Sequence, residues 1–111
     1  MTVSDLAKNP ELVLLTPDLD LSATITRPFC CDLLSIAMGK APSGSAWATV
    51  TVNTNSLAVA TLTDVACIIF AEGSAVDQAL IDKAVEEEVP LFQTDLPEFE
   101  AALLALEKSF F

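Results

Sequence analysis

From residue 46 onward, short continuous apolar runs alternate with stretches whose apolar positions recur every three or four residues. Residues 47–52, WATVTV, alternate large and small β-formers, and residues 66–71, ACIIFA, are apolar throughout. An unbroken run of this length marks a strand covered on both faces, as central parallel strands are. Residues 90–93 predict a third, shorter strand. Between these strands, residues 57–63 predict a short helix. Ser74 with Asp77 has the spacing of a capping box, opening a second helix with Val76, Leu80 and Ala84 on one face. Asp95, Pro97 and Glu98 open a last helix, with Phe99, Leu103, Leu106 and Phe110 as its apolar stripe. The order βαβαβα predicts an α/β fold of two or three layers, with a central, largely parallel sheet and right-handed helical crossovers.

The pattern before residue 46 is less regular. Residues 2–8 predict a short helix closed before Pro10, and residues 11–16 a short apolar strand followed by a Pro17-Asp18 turn. Leu19 and Leu21 alternate with Asp20 and Ser22, and Ile25 continues an extended pattern toward Pro28. Residues 1–30 therefore read as an irregular or antiparallel-β part preceding the 46–111 core, within one domain spanning 1–111. Asp32 reads as an N-cap, its helix presenting Leu33, Ile36 and Ala37 on one face and stopping at Gly39. Pro42, Ser43 and Gly44 form a turn.

Composition narrows the function classes. The chain has 111 residues, 52% apolar and 19% charged, with a net charge of −11 from five Lys/Arg and sixteen Asp/Glu. That balance repels phosphate backbones and anionic lipid heads, so nucleic acid and membrane are not expected partners. The longest apolar run, residues 65–71, is too short to span a bilayer, and the N-terminus lacks the pattern of a secretory leader. The expected location is the cytoplasm. Cys30, Cys31 and Cys67 form no CxxC pair, and the sequence contains no histidine. These thiols are expected to be buried and reduced, with no metal or other cofactor held.

Candidate chemistry concentrates where helices begin. In an open parallel sheet, ligands bind at the carboxyl ends of the strands. Two such junctions are Asn53, Thr54, Asn55 and Ser56, after the first core strand, and Glu72 and Gly73, after the second. If those strands are neighbours, the two loops share a crevice, which Asp32 and Ser35 border if their helix starts on the same side. Amides and hydroxyls at such a junction either cap the helix or hold a ligand against its N-terminus, and both readings stand for Asn53 to Ser56. Catalysis finds little material: without histidine no Ser-His or Cys-His pair forms, and no GxxxxGK[ST] phosphate loop is present. Asp18 and Asp20 form an acidic turn pair expected to be solvated, and Arg27 is expected to pair with a surface acid.

The stretch NTNSLAVATLTDVACIIFAEGSAVDQALIDKAVEEEVPLFQTDLPEFEAALLAL, with CDLLSIAMGKAPSGSAWATV upstream, resembles the DRTGG domain over roughly residues 24–106. That family is akin to the N-terminal domain of HPr kinase/phosphorylase, and this chain is similar to its stand-alone bacterial versions. Many members carry Asp-Arg where this chain has Asn53-Thr54-Asn55, and Thr-Gly-Gly where it has Ala71-Glu72-Gly73. The resemblance implies a regulatory or ligand-sensing domain that is not itself a kinase. It also implies a homodimer and a small, nucleotide-like or other metabolite at the crevice. An acidic adaptor docking a larger protein partner is the competing expectation.

Overall fold

The computed structural model of the chain describes residues 1–106. A five-stranded sheet runs in the order β1-β5-β4-β3-β2, comprising β1 (Val13–Leu14), β2 (Pro28–Cys30), β3 (Ala46–Thr49), β4 (Cys67–Phe70) and β5 (Leu91–Gln93). The pairs β2–β3, β3–β4 and β4–β5 are parallel, and β1 adds antiparallel to β5. Five helices connect them: α1 (Val3–Leu6), α2 (Leu34–Lys40), α3 (Thr54–Thr63), α4 (Gln78–Glu86) and α5 (Glu98–Leu103).

The side-chain alternation of the central strands divides the core in two. Trp47, Ile68, Phe70 and Leu91 meet Ala37 of α2, Leu57, Val59 and Ala60 of α3, and Leu80 and Ala84 of α4. On the opposite face Ala46, Ala48, Cys67, Ile69 and Phe92 meet Val3 and Leu6 of α1 and Ala101, Ala102 and Ala105 from the α5 segment. Helices thus cover both faces, and the architecture is three-layered. Every residue of β3 and β4 is buried, which explains their continuous apolar runs.

Several expectations from the sequence change. β2 extends the parallel sheet, so the βα alternation begins at Pro28 rather than at residue 46. Three residues opening with proline carry too weak a strand signal, and proline, which has no N–H to donate to the ladder, is tolerated at the first residue of an edge strand. Asp32 does not cap α2. The N-cap is Leu33, which makes no side-chain cap bond, and Asp32 bonds instead to the end of β3. Gly39 lies inside α2, which stops at Ala41, held extended ahead of Pro42. Leu33 and Ile36, the expected inner face, are exposed, and Ala37 is the residue of α2 that is buried.

α3 begins three residues earlier than expected, at Thr54, with Asn53 as its cap. Asp77, not Ser74, caps α4, accepting from Leu80 N, while the Ser74 hydroxyl donates to the Ala71 carbonyl. In α5 the large residues Phe99 and Leu103 face outward and the alanines face in. Phe110 lies outside the described residues. Cys67 is buried, and burial pushes its thiol up to about 12, but Cys30 is exposed on the edge strand. Arg27 Nε donates to the Pro28 carbonyl, and among the described residues no acid pairs with it. No helix among the described residues is long and apolar enough to cross a membrane.

Candidate functional site

Because β2, β3 and β4 are parallel neighbours, the loops after them share one rim of the sheet. The N-termini of α3 and α4 both open from that rim. Asn53 sits extended (φ −159°, ψ 174°), and its side-chain oxygen accepts from Asn55 N at 2.8 Å and Ser56 N at 3.2 Å. Ser56 is buried and donates its hydroxyl to the Thr51 carbonyl, tying the first turn of α3 to the exit of β3. Asp77 caps α4 through a 2.9 Å bond from Leu80 N.

A cleft of about 560 Å³ lies between these two helix ends, lined by Val52, Asn53, Thr54, Ala75, Val76, Asp77, Ala79 and Leu80. Its wall is apolar and its lip polar. Size and lining fall within the range of small-molecule sites. The lining contains no lysine or arginine, and Asp77 is its charged group.

The remaining sequence-derived candidates lie elsewhere on the rim. Glu72 and Gly73 both adopt the left-handed conformation (φ 61° and 65°), and their amides donate to the carbonyls of Leu96 and Thr94. They brace the β4–α4 loop against the segment leaving β5 and are not among the residues lining the cleft. Asn55 is exposed beside Thr54, and Ser35 is exposed in the first turn of α2. Asp32 belongs to a separate cluster. Its Oδ1 accepts from Thr49 Oγ1 and Val50 N, each at 2.9 Å, and its carbonyl accepts from Thr51 Oγ1 at 2.9 Å.

The partner that sequence reasoning missed is Glu98, at the start of α5. Its Oε1 is buried with no hydrogen-bond partner among the described residues, and its carboxyl faces that of Asp32. Burial first, then the neighbouring Asp32 carboxyl and the negative charge of Glu72, push Glu98 up to about 8. Asp32 moves the opposite way. Burial works to raise it, but the Glu98 carboxyl and the hydrogen bonds from Val50 and Thr49 outweigh burial and hold it below its ordinary value. Nothing local in the sequence announces this pair, because Glu98 reads only as an acid in the first turn of a helix, where acids are common.

No family model matches the chain, and no curated protein matches it. Among solved structures, the chain is similar to the CBS and DRTGG domains of the regulatory region of a Clostridium perfringens pyrophosphatase, complexed with its activator, diadenosine tetraphosphate. The TM-score is 0.66 at 10% identity, over 94% of this chain and 45% of that one. The chain therefore spans less than half the length of that neighbour. The likeness shows the fold: a DRTGG-like α/β domain with helices on both faces of a mostly parallel sheet.

Proposed function

We propose that the chain works as a single non-catalytic regulatory module in the cytoplasm, sensing a small metabolite in the cleft between the N-termini of α3 and α4. The observation that carries this reading is the convergence of two capped helix ends on a 560 Å³ cleft at the carboxyl ends of β3 and β4. Val52, Val76 and Leu80 offer a surface for a planar ring, and Asn53, Thr54 and Asp77 offer oxygens for hydroxyl groups. A lining without cations, on a chain of net charge −11, disfavours a polyphosphate and favours the nucleoside portion of such a ligand. The similar regulatory region of the pyrophosphatase is complexed with a nucleotide activator, which supports the same ligand class. The ligand acts by binding one conformation or assembly state more tightly than another.

Exposed apolar residues favour a second reading, an acidic adaptor or homodimer that docks through the β2 edge. Leu33 (59% exposed), the N-cap of α2, and Phe99 (65%), in α5, both stand on segments that adjoin β2. Calorimetric titration with adenosine, AMP and ATP separates the two. Sensing predicts saturable binding, strongest for the neutral nucleoside, and its loss in Ala79→Trp, which fills the cleft from an exposed helix position. A flat titration across the nucleosides, with self-association lost in Phe99→Ser, would establish the adaptor instead.

A further inference from the structure

α3 is the middle helix of the layer that covers one face of the sheet, with α2 packed on one side of it and α4 on the other. Its inward residues Ser56, Leu57, Val59 and Ala60 are buried, so its remaining positions face solvent. Solvent-facing helix positions ordinarily take charged residues. α4 follows that rule with Asp82, Lys83 and Glu86. α3 does not: none of its residues is charged, and outward it presents Thr54, Ala58, Thr61 and Leu62. Leu62, at 71%, is the most exposed large apolar side chain among the described residues. α2 continues the surface with Ser35, Ile36 and Gly39, all exposed and uncharged.

The absence of charge extends along the chain. From Leu33 to Thr63 the sequence carries a single charge, Lys40, whereas the other 80 residues carry 20. Burial of β3 accounts for part of that run, but not for the exposed positions of α2 and α3. The acids that give the chain its net −11 are thus kept off one surface and crowd the rest.

That distribution identifies the partner by charge. A basic protein is drawn to the acids, away from this face, and anionic lipid is repelled by the chain's net charge. A partner of the same sign can approach only where the acids are missing, because like charges set against each other across an interface are costly. A second copy of the chain is such a partner, and a two-fold contact places one patch against itself. An acidic patch cannot be its own complement, but an uncharged one can. The face also has relief to interlock. Leu62 stands out from it, and beside it lies a hollow of about 260 Å³ between α3 and α4, lined by Thr54, Leu57, Ala58, Thr61 and Leu62, with the Lys83–Glu87 ion pair on its α4 side.

We propose that the outer face of α2 and α3 is a homodimer interface, in which the α3 helices of two copies pack antiparallel about a two-fold axis at Ala58. That register sets Leu62 of each copy against Thr54 of the other, at the hollow, and the small Ala58 side chain lets the two helices approach. Ile36 extends the contact onto α2. The interface is distinct from the β2 edge and stands whether or not the cleft binds a ligand.

The test is sedimentation equilibrium of the full chain over about 1–500 µM. A monomer–dimer equilibrium without larger species is expected, since a two-fold contact closes on itself. The dimer should tighten between about 0.02 and 0.5 M NaCl, because salt screens the repulsion between two acidic chains and leaves the uncharged contact intact. Leu62→Glu and Ala58→Glu are each expected to weaken it by about tenfold or more, while Phe99→Ser leaves it unchanged. Both glutamates enter at exposed positions, and melting of the dilute variants verifies that they fold. In the wild type, amide shifts that change with concentration should centre on residues 54–62 and 35–39, a readout that needs no variant. A chain monomeric throughout would overturn the proposal and leave the face to an unlike partner. A dimer that loosens with salt would overturn it too, as would one that survives Leu62→Glu but is lost in Phe99→Ser. A flat nucleoside titration counts against the sensing reading and leaves these outcomes unchanged.

Discussion

Asn53 meets two amides of its own helix before it can meet a ligand. Its oxygen accepts from Asn55 N and Ser56 N, so capping alone accounts for an amide residue at this strand-to-helix junction. Asn53→Ala is expected to lower unfolding free energy by about 1 kcal/mol, and Asn53→Asp to retain nearly all of it, by denaturant titration. Both loops at this rim were legible as helix starts, because Asn, Ser and Asp favour caps for a stated physical reason. Asp32 misled for the same reason: its carboxylate does bind a backbone amide, but that of Val50, just past the end of β3. Gly44 shows the reverse, a residue whose role only tertiary contact reveals. It sits at φ +76°, and an added Cβ would lie 2.8 Å from Thr26 Cγ2. Thr26 cannot give way, since its amide bonds to the Gly44 carbonyl and its hydroxyl to that of Ser43. Gly44→Ala is expected to cost about 2 kcal/mol, measured as a lower denaturation midpoint with unchanged slope.

At the scale of elements, small residues decide how α2 and α5 sit. A hydrophobic stripe normally marks the buried face of a helix, which is why Phe99 and Leu103 were expected inside. The sheet beneath α5 instead takes Ala101, Ala102 and Ala105, all nearly inaccessible, which lets the backbone approach closely. α2 repeats the arrangement with Ala37. Hydropathy ranks alanine below leucine and phenylalanine, so sequence periodicity pointed to the wrong faces. Ala101→Leu is expected to destabilise by about 1–3 kcal/mol through overpacking, although leucine is the more apolar residue. Phe99→Ser, at 65% exposure, is expected to stay within about 0.5 kcal/mol of wild type. Equal effects of the two substitutions would place the inner face of α5 elsewhere.

Taken as a whole molecule, the central sheet was legible because β3 and β4 are buried on both faces and therefore apolar at every position. Its edges were not. β2 is too short to show a period, and the Asp32–Glu98 contact joins residues far apart in the chain. Charge acts at this same scale. Sixteen acids face five bases, and the ion pairs Lys8–Asp5 and Lys83–Glu87 are exposed helix pairs at 3.9 and 3.3 Å. Pairs this exposed stabilise the fold very little. Repulsion among the remaining carboxylates is a long-range term of opposite sign, and salt screens it beyond about 10 Å at 0.1 M. Screening therefore removes more repulsion than attraction, and Tm at pH 7 is expected to rise by a few degrees between about 0.02 and 0.5 M NaCl. A Tm that falls with salt would mean that attractive pairs dominate the folded surface. In that case the acidic residues would form a network rather than a field.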